Sequence, residues 1–457
     1  MCRSFGSIRR VMGGLAMAGV ACATGASAAT FQVDRTDDVL TATACTNAPN
    51  DCSLRGAVER ANAGTDMDLV LLPAGTYVLT LPPPASGNGN AGGSIDAFYA
   101  TEIRGDGADT TIIDGNGIDR VLSMGILTGS TRYTEILSGV TLTGGHSSSA
   151  GGGLVNAGTL TLTDSKILGN FSESGGGGLH AQGGDGVIER VVISGNTGRH
   201  GGGLVWFPSL TLRDSTVADN VATGHPSSRG GGLLVGDDFP VSTVLIERST
   251  ISGNQTPGPG GGIEFQIGGN FTLSNSTVTG NHAGADGGGI SHTAGTLTIV
   301  HSTIASNTAV TGATAIRQVQ VNGPPTTILR NDLLTGSCVH GGSWSSDGGN
   351  VESPGDTCGF ALDTDRHGVS SVALALGALA QNGGRTSTHV PGLTSVAVGA
   401  AVAANCLASD QRETTRPQGA ACDAGAVEVV LDEIFADDFQ LGDACSWTGS
   451  SPAVACD

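Results

Sequence analysis

The chain has 457 residues with 41 Asp and Glu against 21 Lys and Arg, which gives a formal net charge of −20 at pH 7. This balance disfavours nucleic acid, anionic membrane surfaces and polyanionic glycans as partners, because like charges repel. Glycine accounts for 75 residues and aromatic residues for only 4%. Such a composition is low in large side chains for a globular core, and it suits a solenoid, whose core is a narrow column.

Residues 1–29 are predicted to be a secretory signal. Three arginines precede a small-residue apolar run from Val11 to Ala23, and small residues at 26 and 28 supply a cleavage site. No later apolar run is long enough for a transmembrane helix. We therefore expect a secreted or cell-surface protein with no membrane-spanning segment once the signal is removed.

Eight cysteines remain after the predicted signal. An even number in an exported chain favours disulfides over a metal site, although the sequence alone leaves the pairing open. A local pairing is the working hypothesis, because each neighbouring pair brackets one turn region. The pairs are Cys45 with Cys52, Cys338 with Cys358, Cys406 with Cys422, and Cys445 with Cys456.

Residues 30–65 are predicted to cap the N-terminal end. Leu54, Ala57, Val58 and Ala61 follow helical spacing. The stretch Cys-Ser-Leu-Arg-Gly-Ala at 52–57 resembles the CSLREA domain of secreted bacterial β-helix proteins, and the resemblance implies a short helix ahead of the coils.

The family has Glu where this chain has Gly56. A Glu at that position would complete a capping box with Ser53. Its absence is expected to weaken the helix by roughly 1 kcal/mol.

Residues 66–335 are predicted to form the coils of a solenoid. Six segments repeat a Gly-rich run, two short apolar strands and a closing Asn. The closing residues are Asn170, Asn196, Asn220, Asn254, Asn281 and Asn307. A period of this length indicates a solenoid, propeller or array. We expect the six Asn side chains to stack as a ladder at a bend, where Asn tolerates left-handed backbone angles.

Counting back from each Asn supports a shared core. The positions three, eight and ten residues earlier are apolar in every repeat except at Gly186. Positions eight and ten lie two residues apart and therefore face one side of a strand. The three-back column contains Ile167, Ile193, Val217, Ile251, Val278 and Ile304. These columns predict an all-β fold, a parallel β-helix of about ten coils.

The repeats resemble those of pectate-lyase-like proteins and of polymorphic outer-membrane proteins. The resemblance and the chirality of parallel crossovers both imply a right-handed coil.

A charged column lies six residues before each Asn, where Asp164, Arg190, Asp214 and Arg248 alternate in sign. Stacked coils place such neighbours about 4.8 Å apart, and we predict a structural ladder of opposite charges. The alternative is a catalytic row of acids and arginines, as in pectin-cleaving β-helices. A row nine residues before the Asn is rich in Thr but interrupted by Val187 and Leu245, which weakens an ice-binding interpretation.

No catalytic, cofactor or metal site is predicted with residue assignments. Calcium beside Asp286, just before a Gly run, is one metal hypothesis, and a metal or acid–base site at converging histidines is another. Six histidines lie near the Gly-rich bends at offsets that differ between coils, so we expect most of them to be solvated loop residues. These are His146, His180, His200, His225, His282 and His292.

Residues 336–430 resemble the choice-of-anchor Q domain, and the resemblance implies final coils and a C-terminal cap. The matching stretches include Leu379 to His389 and Cys422 to Glu428. Residues 431–457 form a tail that is either a sorting or docking signal or a small disulfide-closed appendage.

Two functions remain open at this stage. The first is a non-catalytic, adhesin-like module that binds glycan, cell wall or a surface protein. The second is a polysaccharide lyase or glycoside hydrolase on the same scaffold. Acids converging in a groove with an unpaired basic residue would favour the enzyme, whereas a flat ladder of hydroxyls and paired charges would favour binding. The sequence does not indicate an oligomeric state.

Overall fold

The computed structural model describes residues 28–85, 89–125, 131–207, 209–236, 242–266, 268–321 and 323–430. Most of the predicted signal and the whole tail, with Cys445 and Cys456, lie outside the described residues. Within these ranges, forty β-strands form four parallel sheets, and two α-helices and one 3-10 helix accompany them.

Each sheet is a stack of strands from successive coils. The ten-stranded sheet contains Ile95–Ala97, Leu122–Met124, Leu154–Asn156, Leu179–Ala181, Leu204–Trp206, Leu233–Val235, Ile263–Phe265, Ile290–His292, Ile316–Gln318 and Cys338–Val339. The twelve-stranded sheet contains Thr30–Gln32, Asp68–Leu72, Thr101–Gly105, Thr134–Ser138, Thr159–Thr163, Gly186–Glu189, Leu210–Arg213, Ser242–Glu247, Gly269–Ser274, Gly295–Val300, Pro325–Arg330 and Ser343–Ser346.

The two remaining sheets complete each turn of the coil. The eleven-stranded sheet contains Gly75–Val78, Thr111–Asp114, Thr141–Thr143, Lys166–Leu168, Val192–Ser194, Thr216–Ala218, Thr250–Ser252, Thr277–Thr279, Thr303–Ala305, Leu333–Thr335 and Val351–Ser353. The seven-stranded sheet contains His146–Ser147, Phe171–Ser172, Thr197–Gly198, Val221–Ala222, Gln255–Thr256, His282–Ala283 and Thr308–Ala309.

The predicted apolar columns form the core. Ile167 pairs in parallel register with Ile193, and Ile193 with Val217, and all three are fully buried. Leu162 pairs with Ile188 in the same way on the twelve-stranded sheet. One apolar residue per coil thus meets its counterpart in the next coil, which is the arrangement that makes a parallel β-helix.

The left-handed backbone angles do not fall on the Asn ladder, contrary to our expectation. They fall on the charged column, with φ of 49° at Asp164 and 56° at Arg190, and on the residue just before each of the six ladder positions, such as Gly169 and Gly195. The preceding residue makes the bend and is mostly Gly, for which positive φ carries no steric penalty. The Asn is therefore required for its amide rather than for its backbone freedom.

The α-helix Leu54–Ala61 packs at the N-terminal end. Ser53 is its N-cap and accepts a hydrogen bond from the Gly56 backbone at 3.0 Å. Arg55 is buried and forms an ion pair with Asp38 at 2.6 Å. The apolar side of the helix joins the same core as the coils, so it shields the open end of the column from water.

The C-terminal segment begins with one further coil, formed by the strands Cys338–Val339, Ser343–Ser346 and Val351–Ser353. Cys358 and Phe360 join the core at the last coil, where Trp344 donates its Nε1–H to the Cys358 carbonyl at 2.7 Å. Residues 366–430, with the α-helix Ser371–Leu374 and the 3-10 helix Ala403–Asn405, instead run along the outer face of the eleven-stranded sheet.

That face offers both polar and apolar partners to the segment. Thr277 donates to Gln411 at 2.6 Å, and His389 lies 2.9 Å from the Thr279 hydroxyl. Leu374 packs with Leu333 in a second apolar cluster. These contacts explain why the segment lies along the flank and does not extend the stack.

Candidate functional site

The six Asn side chains form a buried ladder. Asn220 donates Nδ2–H to the Asn254 Oδ1 at 3.0 Å and to the Ile193 carbonyl at 2.9 Å. Its own Oδ1 accepts from the backbone and side-chain nitrogens of Asn196. The same pattern links Asn170, Asn196, Asn220, Asn254, Asn281 and Asn307. Because all six are at most 5% exposed, the ladder lies inside the coil and cannot contact a ligand.

The charged column forms two separate bidentate pairs. Arg190 contacts both carboxylate oxygens of Asp164 at 2.7 and 2.8 Å, and Arg248 contacts both of Asp214 at 2.8 Å. Hydrogen bonding to Arg190 holds the pKa of Asp164 below its usual value. Each acid thus has both carboxylate oxygens bonded to an arginine, which leaves it poorly suited to proton transfer or metal binding.

The C-terminal segment covers the part of this column that continues at Asn275 and His301. Asn275 donates Nδ2–H to the Ser409 carbonyl at 2.9 Å. His301 is fully buried, contacts the Asn331 amide at 2.9 Å, and has its pKa lowered to about 3 by burial. A continuous charged row along the coil is thus absent from the described residues.

A second set of charges flanks the exposed face of the twelve-stranded sheet. Arg213 pairs with Glu247 at 2.8 Å, and Arg190 also contacts Glu189. Arg330 pairs with Asp347 at 2.7 Å near the last coil. The arginines along this edge are neutralised by acids beside them, so the edge carries little net charge.

The centre of that face is a flat column of hydroxyl and aliphatic side chains. Parallel register places them one per coil, as Ile136, Thr161, Val187, Thr211, Leu245, Thr272, Thr298, Ile328 and Ser345. All are half-buried or exposed, and none is aromatic. A shallow trough of about 270 Å³ lies on this column, where Thr161, Val187 and Thr211 line it. We call this column and its flanking charge pairs the flat face.

Two of the six histidines near the Gly-rich bends are buried, and the other four are exposed or half-buried. His180 is 5% exposed under a Gly-rich bend, where Nδ1 accepts from the Gly176 backbone at 3.3 Å. His292 is fully buried beside Phe271, with Nε2 bonded to the Ala294 carbonyl at 2.7 Å. Burial lowers the pKa of both to about 4, so both are neutral and held by the fold.

Asp286 is directed at the protein's own backbone. Its Oδ1 accepts from Gly287 at 2.8 Å and from Ala313 at 2.5 Å, and Arg317 lies 3.3 Å from its Oδ2. Within the described ranges, no group of three or more His, Cys, Asp or Glu side chains converges as metal ligands would.

Among the cysteines that the structure describes, three pairs are joined as disulfides. Their Cα–Cα distances are 4.4 Å for Cys45–Cys52, 4.9 Å for Cys338–Cys358 and 6.3 Å for Cys406–Cys422. The first lies in the N-terminal cap, the second at the last coil and the third in the C-terminal segment. Three disulfides fit a protein of an oxidising, extracellular compartment.

Sequence reasoning missed several buried acids, among them two glutamates on strands of the coil. Glu135 points into the core opposite Leu160, and burial raises its pKa to about 9. Glu264 lies under a Gly-rich bend beside Ser291, and burial raises its pKa to about 7. Glu135 occupies the position that pairs with Leu160, ten residues before Asn170. Extending that apolar column by one coil towards the N-terminus would have found it.

Comparison with known proteins supports the architecture. The family model of the right-handed β-helix region matches residues 153–357. No curated protein matches the chain. A solved structure titled as that of pectate lyase Pel9A aligns over 88% of this chain and 97% of its own, with 16% identity and a TM-score of 0.47. The predicted right-handed parallel β-helix is confirmed. None of the helices within the described ranges is long and apolar enough to cross a membrane.

Proposed function

We propose that this protein is an exported, non-catalytic binding protein that contacts an uncharged glycan of a cell wall or cell surface through its flat face. The observation that carries the proposal is the in-register column of Thr and aliphatic side chains between neutralised charges. Export is supported by the signal-like sequence at 1–29 and by the three disulfides.

The chemistry of the flat face favours a neutral, repeating ligand. Threonine hydroxyls can donate to and accept from sugar hydroxyls, while their methyl groups and the neighbouring aliphatic side chains cover the apolar faces of the rings. Successive coils repeat these groups at about the 4.8 Å spacing of strands in a sheet. An extended polymer lying along the coil axis would therefore meet the same groups many times over.

Two other partner classes fit the flat face less well. Protein interfaces concentrate binding energy in aromatic residues and unpaired arginines, and the column has no aromatic residue while Arg213 is paired. A polyanionic glycan would approach a chain of net charge −20 and meet no free cation in the column. Catalysis is not proposed for the flat face, because Asp164 and Asp214 are each held by an arginine.

The test is adsorption of the full chain to insoluble cellulose, xylan, mannan and β-1,3-glucan, with polygalacturonate as the charged comparison. The double variant Thr272→Glu/Thr298→Glu adds charge to the flat face. Thr197→Glu, on the seven-stranded sheet, adds the same side chain elsewhere on the coil. We expect the double variant to bind at least tenfold more weakly to a neutral polymer that the wild type and Thr197→Glu bind equally.

Three results would contradict the proposal. The first is that no neutral polymer is bound, and the second is that the double variant binds as the wild type does. The third is release of reducing ends or unsaturated products from the polymer during incubation, which would show a lyase or hydrolase.

A further inference from the structure

A cleft of about 420 Å³ opens on the outer face of the ten-stranded sheet, near its N-terminal end. Its floor is the outward column Asp96, Ser123 and Val155, which pair in register across three coils. The volume lies in the range of small-molecule sites, about 300–1,000 Å³. The cleft lies on a different sheet from the flat face and does not share its residues.

One wall is organised by Arg120. Its guanidinium donates to the Gly151 and Ala150 carbonyls at 3.1 and 2.8 Å and to the Ser147 and Ser149 hydroxyls at 3.1 and 2.6 Å. No carboxylate of the described residues lies within ion-pair distance of it. The arginine therefore fixes two serine hydroxyls at the cleft and keeps its own charge close to it.

The floor residue Asp96 continues into an acidic wall with Asp119, and the two carboxyl groups meet at Ser94. The Ser94 hydroxyl donates to Asp96 at 2.7 Å, and its backbone N–H donates to Asp119 at 3.3 Å. Asp96 is only 6% exposed, and burial raises its pKa. Asp119 is half-buried, and its other oxygen accepts from the Arg120 backbone at 2.7 Å.

The N-terminal cap holds this acidic wall in place. Arg55 donates to the backbone carbonyls of Gly93 and Ser94 at 2.9 Å each, while its ion pair with Asp38 fixes its position. The Asn90 amide donates back to the Arg55 carbonyl at 2.7 Å. A buried arginine devoted to one surface loop indicates a wall whose shape is set before any ligand arrives.

We infer that this cleft binds a short stretch of neutral saccharide. Its walls place carboxylate oxygens, serine hydroxyls and the Gln182 amide around one space, and these groups match the adjacent donors and acceptors of sugar hydroxyls. The carboxyl groups oppose an anionic ligand, and the Arg120 charge opposes a bound cation. The carboxylate, serine and amide groups among the lining residues do not suit a purely apolar ligand.

The inference is tested by titration calorimetry of the full chain with neutral tetrasaccharides of β-1,4-glucose, xylose, mannose and N-acetylglucosamine. Ser148 is exposed at the mouth of the cleft, and Ser148→Trp should block entry and abolish binding. Asp119→Asn keeps an acceptor for the Arg120 backbone but removes the charge, and should weaken binding about tenfold. Gln182→Ala changes an exposed side chain, and we expect a several-fold loss.

Ser371→Trp and Asp356→Asn are the matched controls, because they make the same changes at exposed positions beyond the cleft. Both should bind as the wild type does. Ser148→Trp should still adsorb to the polymer that the flat face binds, so failure of one proposal is separable from failure of the other.

The inference is overturned if no neutral tetrasaccharide binds at millimolar concentration. It is also overturned if folded Ser148→Trp and Gln182→Ala both bind as the wild type does, or if tetragalacturonate binds more tightly than every neutral probe.

Discussion

The indole of Trp206 occupies the space that a side chain at Gly186 would need. A Cβ on Gly186 would lie 1.9 Å from Cζ2 of that ring. Trp206 belongs to the following coil, is fully buried, and donates its Nε1–H to the Ser209 carbonyl at 3.1 Å. The single glycine in the apolar columns is thus filled from the next coil and does not leave a cavity.

Gly186 and Trp206 are therefore expected to be coupled. Trp206→Ala should lower the free energy of unfolding by about 3–5 kcal/mol, because it leaves a large cavity. Gly186→Leu alone should lower it by about 3 kcal/mol or more, because the ring has nowhere to move. The double variant should be more stable than the sum of the two losses predicts, as measured by urea unfolding. Simple additivity would show that the two residues do not share one space.

Gly56 presents a similar conflict at the N-terminal cap. A Cβ there would lie 1.9 Å from the Ala42 carbonyl oxygen, which already accepts from the Ser53 backbone at 3.1 Å. The capping-box argument alone predicts that Gly56→Glu strengthens the helix. We expect the reverse, a loss of about 2 kcal/mol or more in the free energy of unfolding, because the helix and the Ala42 carbonyl must move apart.

The measurement is thermal unfolding of Gly56→Glu and Gly56→Ala against the wild type. Gly169→Ala is not a suitable comparison because its φ is positive. Gly64→Ala is suitable, because it has ordinary backbone angles and no close neighbour within 3.4 Å. An increase in melting temperature for Gly56→Glu would show that the helix can adopt the capping box after all.

The two ion pairs of the charged column should differ in strength. The Arg248–Asp214 pair has side chains 17% and 8% exposed, whereas the Arg190–Asp164 pair has 29% and 53%. Arg248→Ala leaves Asp214 poorly hydrated and should cost about 2–4 kcal/mol. Arg190→Ala should cost about 1 kcal/mol or less, and this loss should shrink in high salt. Urea unfolding of both variants at low and high salt measures the two losses of unfolding free energy. Equal losses for the two variants would contradict the role of burial.

The Asn ladder is expected to tolerate almost no substitution. Asn220 uses both amide hydrogens and its carbonyl oxygen inside the core. Asn220→Ala strands the groups of two neighbouring coils and should cost about 2–4 kcal/mol. Asn220→Asp keeps the shape but buries a charge beside the Ile193 carbonyl, so its loss should grow as the pH rises. Urea unfolding at two pH values tests this, with Asn47→Asp at an exposed position as the control for added charge.

The sequence was sufficient for the coil because the inward side chains repeat. Ile167 and Ile193 occupy equivalent positions in successive coils, so counting back from each Asn predicts both the stack and its register. The sequence predicted where the Asn ladder lies, but the backbone angles expected for it were wrong. A periodic pattern does not show whether a residue is required for its side chain or for its backbone angles.

No comparable sequence repeat predicts where the C-terminal segment packs or where the cleft forms. Gln411 reaches Thr250 and Thr277, which precede it by well over a hundred residues, and this segment contains no repeat that announces the contact. In the cleft, Asp96 lies in the first strand of the ten-stranded sheet, and Asp119 lies in the loop before the second strand. Such a site depends on how loops fold over the coil, which the columns do not specify.

Glu135 should make stability depend on pH. It is fully buried, neither carboxylate oxygen has a hydrogen-bond partner among the described residues, and burial raises its pKa from 4.5 to about 9. Below about pH 4.5 the group is protonated in both states and has no cost. Between these values the unfolded chain releases the proton while the folded chain keeps it, so this group lowers stability as the pH rises. The loss accumulates at about 1.4 kcal/mol per pH unit and stops above about pH 9.

Glu135→Gln removes that dependence while keeping the shape of the side chain. The advantage of the variant over the wild type should therefore be small near pH 5 and reach a few kcal/mol near pH 8, as measured by urea unfolding across this range. Glu173→Gln, at an exposed position, removes the same charge and should follow the wild-type curve. Parallel curves for wild type and Glu135→Gln would mean that the carboxyl group titrates alike in both states, and that the core admits water or a cation at this position.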